Sequence, residues 1–348
     1  MGYARERIGA IAGYVPGEQP KEGVLIKLNT NENPYPPSPS VMKALAGFDA
    51  TRLRLYPEPS ARMVREAASR ALGVSPDQII CGNGSDDLLT IALRTFVGEN
   101  EGLAYTEPSY SLYPVLADLQ GAARIPVQLD DDFNLPADAV QQAGNARLFL
   151  IANPNAPTGN AFPADAVRDV CRNFKGVVWI DEAYVDFAES NCLGLVNEFP
   201  NVIVSRTLSK SYSLAGLRLG LAIANRDLVL EMNKVKDSYN VDMLAQTVGA
   251  AALDDSEYMR ANARRICETR AWLSEKLSEL GCRVLPSSTN FIFVEPRTPA
   301  SAMFAKLRDN GFLVRYFNLP RISGFIRITI GRREDMVKFY ETFRELDK

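Results

Sequence analysis

The 348-residue sequence contains no histidine. That absence removes the serine–histidine–aspartate triad, the cysteine–histidine pair and histidine-ligated zinc. Acid–base work must then fall to Lys, Tyr, Asp, Glu or Cys, and no metal site is expected. Cysteine is scarce as well. Cys81, Cys171, Cys192, Cys267 and Cys282 are odd in number and form no C-x-x-C pair, so they read as reduced thiols. No stretch reaches the roughly 18–20 apolar residues of a membrane span, and residues 1–16 lack the apolar run of a signal peptide. A cytoplasmic chain with no membrane partner is the expectation. Charge is nearly balanced, with 39 Lys and Arg against 42 Asp and Glu, which leaves no basic footprint for nucleic acid.

What is present is an ordinary globular composition in a chain too long for one small core. The first 40 residues are rich in Pro and Asn, including NTNENPYPP at 29–37, and read as an extended arm because residues before proline avoid the helical region. Helical patterns at 61–72 and 85–97 then alternate with seven short apolar runs, at 78–81, 103–105, 124–127, 148–152, 177–180, 202–205 and 219–222. Alternation of this kind implies an α/β fold, a mainly parallel sheet with helices on both faces. After about residue 245 the texture changes to a helical stretch at 256–280 and apolar runs at 290–294, 311–315 and 325–330, which suggest a smaller α+β lobe. The expected division is an arm (1–45) packing with the small lobe, a large domain (46–245) and a small domain (246–348).

Ligands of open α/β sheets bind beyond the carboxyl ends of the strands, so the residues following each apolar run carry the functional reading. Asp181 and Tyr184 follow 177–180. Thr207, Ser209 and Lys210 follow 202–205, with Arg218 eight residues past the lysine. GNGSDD at 82–87 follows 78–81, and NPNAPTG at 153–159 follows 148–152. Taken singly, these are a capped helix start, a packed tyrosine, a solvated lysine and a turn. Together they supply what pyridoxal phosphate requires: an amine to form an imine, a carboxylate for the pyridine nitrogen, and a cup of free N–H groups, hydroxyls and an arginine for the phosphate.

Over residues 14–331 the chain resembles the fold-type I aminotransferases, most closely those that act on histidinol phosphate. The resemblance is carried by DEAYVDF at 181–187, TLSKSYSLAGLRLG at 207–220 and IRITIG at 326–331. It implies the fold-type I architecture, a large domain with a mainly parallel seven-stranded sheet flanked by helices plus a smaller α+β domain, with pyridoxal 5'-phosphate as cofactor. Lys210 is implied as the Schiff-base lysine and proton shuttle, Asp181 as the partner of the pyridine nitrogen, and Tyr184 as a donor to the ring hydroxyl. Thr207, Ser209 and Arg218, with the backbone at Gly84, Ser85 and Asp86, are implied to hold the phosphate, and Tyr110 to stack on the ring. Tyr56 is implied to reach the phosphate in a neighbouring subunit, which requires a homodimer with shared sites. Arg327 is implied to take a substrate carboxylate, and Arg315 and Tyr14 the phosphate of histidinol phosphate.

One position departs from the family pattern. The asparagine that usually precedes Pro-Thr-Gly is Ala156 here. Asn155, or else Asn153, is the expected replacement; otherwise Tyr184 serves the ring hydroxyl alone. The implied reaction is ping-pong transamination between L-histidinol phosphate and 2-oxoglutarate, giving imidazole-acetol phosphate and L-glutamate, in histidine biosynthesis. The alternatives are an aromatic amino-acid aminotransferase that uses Arg327 and leaves Arg315 idle, a threonine-phosphate decarboxylase, and a non-catalytic pyridoxal-phosphate-binding protein. The intact Lys210, Asp181 and Arg218 set argues against the last.

Overall fold

Leu148–Ala152 is buried at every position, and its side chains divide between two cores. Phe149 and Ile151 face one cluster, while Leu148, Leu150 and Ala152 face the other. This period of two, with apolar residues on both faces, marks a strand covered by helices on either side. The computed structural model describes residues 3–14, 17–20 and 25–347. Its strands are β1 (Ile26–Lys27), β2 (Ile79–Gly82), β3 (Gly102–Glu107), β4 (Ala123–Gln128), β5 (Leu148–Ala152), β6 (Val177–Asp181), β7 (Val202–Thr207), β8 (Gly220–Ala224), β9 (Arg283–Val284), β10 (Phe291–Glu295), β11 (Phe312–Leu313), β12 (Arg315–Tyr316) and β13 (Ile326–Thr329).

Seven of these form one sheet in the order β2-β8-β7-β6-β5-β3-β4. The five strands β3 to β7 run parallel, and β8 is antiparallel to both β2 and β7. The seven apolar runs of the sequence are these strands, each within about two residues. The segment 208–219 returns directly from β7 into β8 instead of crossing over the sheet, and so makes the pair antiparallel. It also confines Lys210 and Arg218 to one loop at the carboxyl end of β7. Helices Arg62–Leu72 and Met243–Asp254 cover one face of the sheet; Ser85–Phe96, Leu112–Gln120 and Arg226–Val235 cover the other.

A second, antiparallel sheet of order β12-β13-β10-β9 packs against helices Ser256–Glu279, Ala300–Asp309 and Arg333–Leu346 around a separate core. The N-terminal segment joins this lobe: β1 pairs in parallel with β11, and the Thr329 N–H donates to the Leu28 carbonyl at 3.0 Å. The reading of residues 1–40 as wholly extended is corrected by helix Glu6–Gly9 and the start of helix Pro39–Ala46. The latter opens with Ser38, whose Oγ accepts from the Val41 N–H, and with proline in the first turn. That proline is favourable because its missing N–H would be unpaired there anyway. All five cysteines are free. Among the described residues no helix is long and apolar enough to cross a membrane.

Candidate active site

The carboxyl ends of β3, β5, β6 and β7 open onto a cavity of about 330 Å³, roofed by β12, β13 and the N-terminal segment. Lys210 lies just past β7. Its Nζ donates to the Thr30 carbonyl at 3.2 Å and stands 5.9 Å from the centre of the Tyr184 ring. Burial, reinforced by the charge of Arg327, brings its pKa down from 10.5 to about 8. Near that pH a large fraction of the amine is therefore unprotonated and nucleophilic.

Asp181 is the last residue of β6 and is buried. Its Oδ2 accepts from the Tyr113 hydroxyl at 3.0 Å; its Oδ1 accepts from Ser205 Oγ at 3.1 Å and from the Ala183 N–H at 3.2 Å. Trp179 Nε1 in turn donates to Ser205 Oγ at 3.1 Å. Burial lifts the carboxyl to about 6 in spite of these donors, and no Lys or Arg among the described residues forms an ion pair with it. A buried carboxylate oriented by three donors and facing a cavity fits a cationic ring nitrogen. Neither Tyr113 nor Ser205 stood out in the sequence. Ser205 is the direct register partner of Asp181 across β6 and β7, which is the signal that a correct strand pairing supplies.

The anion cup forms where β2 turns into helix Ser85–Phe96. Ser85 Oγ is buried and has no hydrogen-bond partner among the described residues. Thr207 Oγ1 donates to Ser209 Oγ at 3.0 Å, and Arg218 Nη2 lies 3.4 Å from Asp86 Oδ2. Gly84 stands behind the cup at φ 81°, where a Cβ would fall 2.5 Å from Arg218 Nη2. Gly220, at the start of β8, is as tightly held: a Cβ there would lie 2.7 Å from the Gly84 carbonyl carbon and 2.8 Å from the Ser85 nitrogen. Backbone cannot yield as a side chain does. Gly220→Ala is expected to push the cup open at a cost of about 1–3 kcal/mol, weakening pyridoxal phosphate binding by roughly 5- to 150-fold in a fluorescence titration. Unchanged affinity would show that the cup does not depend on this approach.

The tyrosines are distributed as follows. Tyr110 lines the cavity, donates to Asp86 Oδ1 at 3.3 Å and meets Tyr14 edge-on at 5.9 Å. Tyr184 lines it too, and its hydroxyl accepts from Asn31 Nδ2 at 2.8 Å. Tyr56 does not line this cavity. It is 79% exposed and stacks on Tyr239 with ring centres 4.6 Å apart. Asn155 requires a correction, because its side chain does not reach the cavity. Its amide donates to the Pro108 carbonyl at 2.9 Å and to Thr158 Oγ1 at 2.8 Å, and its Oδ1 accepts from Ser109 at 2.8 Å. Both donors are thus spent on tying the loop after β5 to the loop after β3. Asn153 is likewise committed, to Cys192 Sγ and the Phe162 N–H.

The roof carries two arginines that face each other across neighbouring strands, Arg315 on β12 and Arg327 on β13. Arg327 Nη2 donates to the Asn29 carbonyl at 2.9 Å, while its Nε has no hydrogen-bond partner among the described residues. Burial and the nearby Arg315 lower its pKa. A desolvated guanidinium with an idle N–H on the cavity wall suits an incoming carboxylate or phosphate. Both guanidiniums lie over the Phe317 ring, at 5.3 and 5.4 Å. Behind the floor, buried Glu182 pairs with Arg206 at 2.7 Å, and Asp186 accepts from Ser211 Oγ, so the residues flanking Asp181 and Lys210 are braced together.

Residues 24–343 match the family described as aminotransferase class I and II, and the chain belongs to that family. Within it, the similarity is to the histidinol-phosphate aminotransferases. The chain is 45% identical to the one from Citrifermentans bemidjiense over 344 residues, 98% of each chain. It is 41% identical to the one from Rippkaea orientalis over 343 residues, again 98% of each. The crystal structure of histidinol-phosphate aminotransferase from Sinorhizobium meliloti in complex with pyridoxal-5'-phosphate superposes with a TM-score of 0.91, covering 99% of this chain and 98% of that one at 25% identity.

Proposed function

We propose that this chain transfers an amino group between L-histidinol phosphate and 2-oxoglutarate, giving imidazole-acetol phosphate and L-glutamate, as a step of histidine biosynthesis. The carrying observation is the cavity that sets Lys210 and Asp181 on one wall and the Arg315–Arg327 pair on the other. The unpartnered Ser85 hydroxyl and the Asp181 carboxylate, which has no cationic partner among the described residues, fit pyridoxal phosphate at its two polar ends. Lys210 would hold it covalently through Nζ, Asp181 would hold the ring-nitrogen proton, and Ser85, Thr207, Ser209, Arg218 and the backbone of Gly84 and Asp86 would hold the phosphate. Tyr110 would cover the ring, and Tyr184 would donate to its oxygen. When bound, the group supplies an aldehyde that captures amines and a ring that delocalises negative charge.

Lys210, released as a free amine, takes the proton from the substrate's α-carbon and carries it within the cavity. Arg327 orients the α-carboxylate of glutamate. Arg315 and Tyr14 hold the phosphate of the other substrate, so the same roof admits both in turn. Residues 46–245 act as the cofactor-binding domain, 246–348 as the small domain and 1–45 as an arm. We further read the working form as a cytoplasmic homodimer, in which exposed Tyr56 serves the partner's phosphate cup.

A substrate panel with 2-oxoglutarate as acceptor tests the reading. Histidinol phosphate should exceed phenylalanine in kcat/KM by roughly 10- to 150-fold, the size of a charge-assisted contact to one extra anionic group. Arg315→Ala should erase most of that margin and leave phenylalanine turnover nearly unchanged. A preference for phenylalanine, or carbon dioxide release without a keto acid, overturns the assignment.

A further inference from the structure

Asn31 is 1% exposed, lines the cavity and sits at φ 57°, a left-handed conformation that asparagine tolerates better than most residues. Its amide orientation follows from its neighbours. The Asn31 N–H donates to Thr329 Oγ1 at 3.0 Å, which leaves the threonine proton free to donate to Asn31 Oδ1 at 3.1 Å. With Oδ1 facing Thr329, Nδ2 must face Tyr184, where it lies 2.8 Å from the hydroxyl oxygen. A phenol has a single proton. Since the Tyr184 oxygen accepts from Asn31, that proton is turned away from Asn31 and is available to an acceptor in the cavity. The Asn290 amide donates to the Asn31 carbonyl at 2.9 Å and fixes the backbone from the other side. Ala156 also lines the cavity, and its methyl group can donate nothing.

We propose that Asn31 is a positioning residue for Tyr184. By donating to the phenol oxygen it directs the Tyr184 proton into the cavity, and it thereby secures the one donor that remains where the loop after β5 carries Ala156. The inference rests on the cofactor reading above, with the ring oxygen as acceptor of the Tyr184 proton. Asn31 also belongs to a short ladder in which the N-terminal segment follows β13: Leu28 and Asn31 bond to Thr329, and Asn29 bonds to Arg327. The strand that carries Arg327 therefore also sets the orientation of the Tyr184 hydroxyl.

The test is the pH dependence of visible absorbance of the full-length protein loaded with pyridoxal phosphate, with no substrate present. A donor at the ring oxygen favours its anionic form, so losing the donor makes the chromophore keep its proton to higher pH. Asn31→Gly suits the positive φ and removes the side chain; it should raise the titration midpoint by roughly half to one pH unit, the size of one hydrogen bond. Asn31→Asp, which turns the Tyr184 proton back toward position 31, should raise it at least as far. In a Tyr184→Phe background Asn31→Gly should add nothing, and Ala156→Asn should bring the midpoint of Asn31→Gly back toward the wild-type value. A merely structural Asn31 would lower the melting temperature without this dependence on Tyr184. An unmoved midpoint, or an equal shift with and without Tyr184, overturns the proposal while leaving the cofactor reading intact. A wild-type protein that gains no visible absorbance overturns both.

Discussion

Lys210→Ala loses transamination by a factor on the order of 10² to 10⁴ or more, the contribution of a positioned proton-transfer group, and loses the long-wavelength absorbance that wild-type protein acquires with pyridoxal phosphate. Two separate roles of one atom produce this result. Nζ lies in a pocket that brings the amine down to a pKa of about 8, so near that pH a large fraction is neutral, nucleophilic and basic. No histidine exists to substitute for it. The other bases of the cavity are engaged or hard to ionise: burial raises Tyr184 and Tyr110, the Asp181 carboxylate is occupied by three donors, and Asp86 is paired with Arg218 and Tyr110. Lys210→Arg is the informative control. It preserves charge but not a neutral amine, and should be nearly as inactive. Single-turnover assays and absorbance spectra of the three proteins decide the matter; an alanine variant that still turns over within about tenfold of wild type would place the proton transfer elsewhere.

Asp181→Asn is expected to be more stable and much less active. In the folded protein the carboxyl titrates near 6 against an ordinary 3.8, because burial penalises the charge more than Tyr113, Ser205 and the Ala183 N–H favour it. The folded state thus binds this proton more tightly than the unfolded chain does. Well below pH 3.8 the group is protonated in both states and costs nothing. Between pH 4 and 6 the cost grows, and above pH 6 it is fully present, at about 3 kcal/mol for a shift of about two units. The asparagine variant escapes that cost. Without pyridoxal phosphate it should melt higher than wild type at pH 8, and the difference should largely vanish as the pH falls to about 4. Its amide oxygen can still accept from Ser205 and the Ala183 N–H, while its NH2 donates to the Tyr113 oxygen once that hydroxyl turns its proton away, so the packing survives. Lacking the negative charge, it should lose about 10² to 10³ in kcat, as for other pre-oriented electrostatic groups. Calorimetry at both pH values and initial rates test the pair of effects together. A variant that melts lower at pH 8, or that keeps its rate, contradicts this account of Asp181.

Much of this site was readable because its residues follow strands. Short apolar runs alternating with helical patterns are the mark of buried parallel strands, and ligands sit beyond strand ends, where Asp181, Tyr184, Lys210 and Arg218 stand. Contacts that bring distant segments together were not readable. Chain order offers Asn155 as the neighbour to stand in at Ala156, yet its amide is consumed by the loops after β3 and β5. The side chain that meets Tyr184 comes instead from Asn31, in a segment whose sequence showed only prolines and polar residues. Tyr113 was hidden for a related reason. A tyrosine on an amphipathic helix reads as packing, and only the fold turns its hydroxyl onto Asp181. Helix Pro39–Ala46 carries a serine cap and a proline start, but the stretch before it has the proline-rich composition of an extended arm.

The ladder along β13 has a consequence for synthesis on the ribosome. Asn31 and Thr329 are 298 positions apart, so at 5–20 residues per second the early segment waits roughly 15 to 60 s for its partner. Through that interval the seven-stranded sheet can assemble and the anion cup can form, but the wall that holds Arg327 and orients Tyr184 does not yet exist. On the proposed assignment, a nascent chain at that stage would carry Lys210 without the groups that select its substrate, and capacity to capture an aldehyde would precede the capacity to choose an amine.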